Sequence, residues 1–239
     1  MQIISAQKVD LKLHGITAEC DVYIAHVTIN DVDKRATEMV TAIADSSWIY
    51  RLNAVSKAAF EATSAKTIIK LTQNIANKIE NDKLTEDFGE YLVSDTAQCV
   101  MENIFKHTKL PLAELIKPRI SGNEGFDFHS ECGDSFITFG EAKYSGTKSP
   151  YTKALSQIID FIEQNKDVAE LVVLTHLVSE EAATNCAKGF KSYAAAFSIN
   201  AAKPDMIINN ALKSSQMDSL LGHKKLYLIG VEVNDPKLD

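Results

Sequence analysis

Two carboxylates and one amine stand at spacings that would let them converge on one point. Glu141 and Lys143 are two residues apart in a segment that alternates like a β-strand, so their side chains point to the same face. Asp127 lies in the preceding strand-like segment, and a hairpin connection would bring it alongside them. Carboxylate oxygens are ligands that Mg²⁺ prefers, and an amine can stabilise developing negative charge. These residue types predict metal-dependent hydrolysis of a phosphodiester.

The acid–x–lysine pattern is not specific by itself, because it occurs three times in the chain. The three occurrences are Asp10/Lys12, Glu141/Lys143 and Asp235/Lys237. Only the middle one follows an acidic residue on a neighbouring predicted strand and lies between two predicted helices. Ile137 and Phe139 share its strand face, so an apolar face ends in an acid and an amine. An acid and an amine are costly to bury unless they have a partner or a role. The neighbouring elements, and not the acid–x–lysine pattern itself, therefore indicate a functional site at Glu141 and Lys143.

Periodicity along the chain predicts the elements that would position this group. Residues 1–30 are predicted as strands, 55–80 as one long helix, and about 85–106 as a second helix with Thr85 as its N-cap. Strands are predicted at 115–121, 125–130, 135–144, 170–177 and 225–233. Further helices are predicted from Ser149-Pro150, with Ser149 as the cap, and over the alanine-rich residues 179–196.

This order predicts an α/β fold with a mixed sheet sandwiched by helices. The polar segment at residues 81–83 suggests a division into an N-terminal α+β region over 1–81, with a role in binding a partner, and a core over 82–239. The four cysteines are far apart and form no CxxC pair, which disfavours a zinc site or a disulfide framework. The chain shows no signal peptide and no run of about 20 apolar residues, so a cytoplasmic location is expected.

The motif segments resemble those of a known enzyme superfamily. Gly125-Phe126-Asp127-Phe128, followed by Gly140-Glu141-Ala142-Lys143-Tyr144-Ser145, is similar to the paired motifs of PD-(D/E)xK nucleases. The resemblance covers roughly residues 85–233 and implies a restriction-endonuclease-like core, although Phe126 stands where the family name has proline. More narrowly, the whole chain resembles the HamA family, the nuclease subunits of Hachiman-type bacterial anti-phage defence.

The resemblance also implies roles for individual residues. Asp127 and Glu141 would bind Mg²⁺, or alternatively Mn²⁺, with the backbone carbonyl of Ala142. Lys143 would orient or activate the attacking water and stabilise the charge that develops on the phosphate. Many members of the superfamily add a Glu from the first core helix, for which Glu90 is the candidate. Glu86 is the alternative to Glu90, and Gln157 resembles a Gln that is often placed beside the site. The substrate would be DNA, and the HamA resemblance implies a helicase partner similar to HamB.

Two further readings stay open at this stage. The chain could be a catalytically silent nuclease fold that serves as a binding scaffold, or a stand-alone restriction or repair endonuclease. The formal net charge of −7 argues against strong unaided DNA binding, because affinity for phosphate depends on Lys and Arg. It favours a DNA-binding partner. Two local alternatives are that His129 reaches the site, and that Lys143, Lys148 and Lys153 form a phosphate-facing patch with Tyr144 and Tyr151.

Overall fold

A computed structural model describes residues 1–81, 84–116 and 125–234, with the side chains of 77–81 excepted. The strands in these ranges are β1 Gln2–Lys8, β2 Asp21–Ile29, β3 Thr108–Lys109, β4 Phe128–Glu131, β5 Ile137–Lys143, β6 Ser192–Ile199 and β7 Lys225–Val233. The α-helices are α1 Val32–Ala44, α2 Ala54–Asn81, α3 Glu86–Asn103, α4 Ala113–Ile116, α5 Tyr151–Glu163, α6 Lys166–Leu174, α7 Glu180–Ala187, α8 Pro204–Leu212 and α9 Gln216–Leu220. Two short 3₁₀ helices span Leu11–His14 and Ser47–Arg51.

The seven described strands form one mixed sheet in the order β1-β2-β7-β6-β5-β4-β3. The four central strands, β2, β7, β6 and β5, are parallel, whereas β1, β4 and β3 join antiparallel. Helices flank the sheet: α3 packs on β4 and β5, α5 on β5 and β6, and α8 on β7 and β2. Every residue of β6 is buried, as expected for a parallel strand that is covered on both faces. The prediction of an α/β fold with a mixed sheet is therefore confirmed.

The helix α3 begins and packs as its sequence predicts. The Thr85 hydroxyl accepts a hydrogen bond from the Phe88 N–H at 3.3 Å, which satisfies one of the free amides of the first turn. Val93, Ala97 and Val100 lie on one stripe and are fully buried against the sheet. The long helix α2, the hairpin of β4 and β5, and the strands β1, β2 and β7 are confirmed as well.

Two predictions for the region between β5 and β7 are wrong. Residues 170–177, predicted as a buried strand, belong mainly to the helix α6, and Val172 is 77 % exposed there. Residues 179–196, predicted as one helix, contain α7 and then the start of β6. The alanines of β6 have high helix propensity, but burial between β5 and β7 determines their conformation. The valines of α6 have high strand propensity, yet this segment is a helix that packs against α5 and buries Leu174.

Two smaller predictions also differ from the structure. Leu115 and Ile116 end the short helix α4 rather than begin a strand, and the rest of the strand predicted at 115–121 lies outside the described residues. Pro150, not Ser149, is the N-cap residue of α5. The Ser149 hydroxyl instead accepts a hydrogen bond from the Asn200 N–H at 3.1 Å, which ties the start of α5 to the end of β6.

Contacts between the N-terminal residues and the rest of the chain are extensive. The whole length of β2 pairs in parallel with β7. Arg35 of α1 is buried and forms an ion pair with Asp95 of α3, which also accepts a hydrogen bond from Lys109 Nζ at 3.1 Å. Within the described ranges, no helix combines the length and the apolar character that crossing a bilayer requires.

Candidate active site

Asp127 is held against the end of β5 by two hydrogen bonds. Its N–H donates to the Gly140 carbonyl at 2.9 Å, which continues the ladder between β4 and β5. Its carboxylate oxygen Oδ2 accepts the Ala142 N–H at 2.8 Å. The carboxylate therefore lies directly beside the strand that carries Glu141 and Lys143, as the hairpin predicted.

Glu141 is the most deeply buried acid of this group, with 1 % of its surface exposed. Lys143 Nζ lies 2.8 Å from its Oε1. Apart from that ion pair, the described residues offer no donor to the two oxygens of Glu141. Burial, followed by the charge of nearby Asp127, raises the pKa of Glu141 well above its usual range. The fold thus buries a carboxylate in which Oε1 is paired with Lys143 and Oε2 lacks the donor that a buried oxygen normally has.

Lys143 joins the acids of two different elements. Its Nζ lies 3.4 Å from Glu90 Oε1 on α3, in addition to its contact with Glu141. Burial alone would lower the pKa of Lys143, but the charges of Glu141, Asp127 and Glu90 outweigh it and raise that pKa. Burial also raises the pKa of Glu90; Lys143 opposes that shift and Asp127 adds to it. The ammonium of Lys143 therefore stays protonated beside the three acids.

An acidic cleft of about 120 Å³ opens beside this cluster. Its lining includes Glu90 and Asp127, and it extends to Asp87, Tyr91 and Ser94 of α3 and Glu114 of α4. The residues from α3 lie at positions i, i+3, i+4 and i+7, so one face of the helix forms the wall. The volume is enough for a few water molecules. The cleft gives a small hydrated cation room beside the carboxylates.

The donor set fits Mg²⁺ by its chemistry. Within the described ranges, no group of three or more His, Cys, Asp or Glu side chains is gathered closely enough to hold a metal ion alone. Mg²⁺ is nevertheless commonly bound through one or two carboxylates, with water completing its shell. The carboxylates of Glu141 and of the adjacent Asp127 supply that number.

The structure brings together most of the residues that the sequence predicted for the site. Asp127, Glu141, Lys143 and Glu90 are clustered, whereas Glu86, the alternative to Glu90, is exposed. Gln157 is half-buried on α5 and forms no hydrogen bond with those four residues in the described part of the chain.

The residues of the two local alternatives are also placed. His129 is fully buried and contacts Glu170 through its Nε2. Lys148, beyond β5, and Lys153, on α5, are both exposed.

Sequence reasoning missed two residues that border the site. Glu114 lines the cleft, and Glu170 contacts the chain on both sides of Asp127. Glu114 directly precedes the strand predicted at 115–121, and Glu170 begins the strand predicted at 170–177. An acid inside the apolar run at 168–174 was the one available signal for Glu170.

No protein-family model matches the chain, and no curated protein matches its sequence. That site offers two carboxylates for a cation, an ammonium that stays charged, and a cleft that opens to solvent beside them. This set can bind a divalent cation next to a phosphate and neutralise the charge that forms during hydrolysis.

Proposed function

We propose that the chain is a Mg²⁺-dependent deoxyribonuclease with a restriction-endonuclease-like core. The observation that carries this proposal is the buried carboxylate of Glu141, held between Asp127 and Lys143. Lys143 pairs with Oε1 and leaves Oε2 without a donor among the described residues, and a silent fold would gain nothing from that buried oxygen. A cation beside Asp127 and Glu141 offsets this unfavourable arrangement.

In this proposal, Asp127, Glu141 and the Ala142 carbonyl hold the cation, and Glu90 approaches from α3. The bound cation, Mg²⁺ or Mn²⁺, would supply an activated water and polarise the phosphate. Lys143 stays protonated and donates a hydrogen bond to the attacking water or to a phosphate oxygen. That contact stabilises the negative charge that develops on the phosphate as the phosphodiester bond breaks. Gln157 remains a candidate for holding water or phosphate beside the site.

We further propose that the enzyme acts as the effector subunit of a bacterial anti-phage complex with a helicase. This part rests on the HamA-like sequence pattern and on the net charge of −7. An acidic chain binds the DNA backbone weakly by itself, so a helicase partner would deliver the substrate. Lys148 and Lys153 are exposed cations that follow the motif in sequence and would contact the strand to be cut.

The test is cleavage of plasmid and linear DNA by the purified chain with Mg²⁺, with and without the co-expressed helicase. Glu141→Ala and Lys143→Ala should abolish cutting, whereas Lys213→Ala, on an exposed lysine at the end of α8, should not. Cutting that needs Mg²⁺ and is lost only in the two site variants supports the proposal. Cutting without any helicase would favour a stand-alone endonuclease. No cutting under any condition, with intact folding, would favour the silent scaffold.

A further inference from the structure

Glu170 connects α6 to both chain neighbours of Asp127. Its Oε1 accepts the Phe126 N–H at 3.0 Å, and its Oε2 lies 2.5 Å from His129 Nε2. Phe126 and His129 are both fully buried. One carboxylate thus contacts the residue directly before Asp127 and the residue two positions after it.

The other side of Asp127 is fixed by β5. Its N–H and its Oδ2 are bonded to Gly140 and Ala142, as described above. The peptide that carries the Asp127 carboxylate is therefore held by β5 from one side and by Glu170 from the other. Each contact removes a rotation that would otherwise let the carboxylate swing away from Glu141.

The rest of α6 gives this connection added weight. Val168 and Val172 of α6 are 45 % and 77 % exposed, whereas Leu174 of the same helix is buried in the core. Polar contacts add to this packing: those of Glu170, and those of buried Asp167 with Tyr193 and Lys191. The carboxylate of Glu170 is only 12 % exposed, and burying a carboxylate is costly unless it has partners. Its partners here are the residues on either side of Asp127.

We propose that Glu170 is a positioning residue, which fixes the direction of the Asp127 carboxylate for cation binding. This inference rests on the proposed function, because it assumes that Asp127 holds a divalent cation. Groups that orient a metal-binding side chain typically change metal affinity by about 10–100-fold when they are removed. Glu170 acts through the backbone of Phe126 and the ring of His129 and does not itself reach the cation.

The experiment measures Mn²⁺ binding to the full chain by calorimetry, which needs no cleavage. Glu170→Ala removes both contacts and should weaken binding by about 10–100-fold. Glu170→Gln keeps an acceptor for the Phe126 N–H and should recover most of the affinity. Glu170→Asp is one methylene too short to make both contacts, and it should lie between them. Glu163→Ala, on an exposed acid at the end of α5, is the matched control and should leave binding unchanged.

Hydrogen exchange of residues 125–131 provides a second measurement on the same proteins. Faster exchange in Glu170→Ala at the Phe126 amide, with β7 still protected, would show local loosening without unfolding. If Glu170→Ala fails to fold, the comparison of Glu170→Asp with Glu170→Gln decides the question.

The outcomes separate this inference from the proposed function. Unchanged Mn²⁺ affinity in Glu170→Ala, with binding abolished by Glu141→Ala, overturns the role of Glu170 and leaves the nuclease proposal standing. Equal losses in Glu170→Gln and Glu170→Ala would also overturn it, because geometry would then matter less than charge. Absence of Mn²⁺ binding in the unmodified chain overturns both.

Discussion

Gly89 of α3 lies against the ring of Tyr144 with no room for a side chain. A Cβ at position 89 would stand 2.2 Å from Tyr144 Cγ. This close approach places the following residue, Glu90, within 3.4 Å of Lys143 Nζ at the end of β5. The missing side chain at one helical position therefore sets the distance between the helix and the charged cluster.

Gly89→Ala should displace α3 from Tyr144 and loosen the cluster. Overpacking of this kind typically costs about 1–3 kcal/mol in the free energy of unfolding. Urea denaturation measures that loss, and Mn²⁺ titration measures the accompanying fall in cation affinity. Gly133→Ala is the control, since a Cβ there meets nothing within 4 Å. Equal stability of the two variants would show that α3 can shift freely.

Glu141→Gln should stabilise the metal-free protein near pH 8 while it abolishes cation binding. Folding raises the pKa of Glu141, so the protonated side chain stabilises the folded protein. This stabilisation is fully present below the unfolded pKa of about 4.5 and is lost as pH rises through the folded pKa. We expect a gain of about 1–2 kcal/mol at pH 8 in EDTA, which is typical of a stabilising substitution at a functional site. The gain should vanish near pH 4.

Adding Mg²⁺ should reverse the order of the two proteins. Only the unmodified chain would be stabilised by ligand binding, in proportion to the logarithm of the Mg²⁺ concentration. Thermal unfolding in EDTA and in Mg²⁺ measures both effects. A less stable Glu141→Gln variant in EDTA would mean that the ion pair with Lys143 is structural.

His107 should make the protein sensitive to acid. Its ring lies between the Ser130 hydroxyl and the Tyr227 hydroxyl, each at 2.9 Å, and burial lowers its pKa to about 4. The folded pKa is below the unfolded value of about 6.5, so the stability from neutral His107 is present above pH 6.5 and is lost as pH falls towards 4. The loss is at most about 3 kcal/mol, at ~1.4 kcal/mol per pH unit.

Urea unfolding between pH 7 and pH 4 tests this dependence. His107→Gln should be less stable at pH 7 and should show a flatter profile, because the glutamine amide does not titrate. The half-buried His14 provides a control in His14→Gln, which should keep the steep profile. An equally steep profile in His107→Gln would assign the acid sensitivity to other groups.

Arg35→Ala should destabilise the whole protein by about 3–5 kcal/mol, because it leaves Asp95 buried beside a weaker partner. Arg35→Ala/Asp95→Ala should cost less than the sum of the two single changes, since the pair shares one interaction. Denaturation of all three variants, followed by circular dichroism, measures this coupling. Strict additivity would indicate that the ion pair contributes little.

The hairpin and its charged residues were predictable because short-range patterns determine them. Alternation fixes the common face of Glu141 and Lys143, and the turn between β4 and β5 fixes the position of Asp127. Helical spacing on α3 likewise puts Glu90 ahead of a buried stripe. These features need no knowledge of distant parts of the chain.

The misassigned segments depend on long-range contacts. The alanines of β6 form a strand because β5 and β7 pair with them from either side. Glu170 reaches Phe126 across 44 residues of sequence, and no local pattern contains that contact. The pairing of β2 with β7 joins segments about 200 residues apart, so the prediction of separate N-terminal strands did not include it.

The position of β7 has a consequence for the newly made chain. It is the last described strand to be synthesised, yet it lies between β2 and β6, near the middle of the sheet. While residues 225–233 are still inside the ribosome, the first two strands have no bridge to β6. The apolar residues that these strands bury against β7 therefore stay exposed during almost the whole of translation. Nascent chains aggregate or recruit chaperones during that period. Completion of β7 is thus the event that commits both halves of the chain to one folded body.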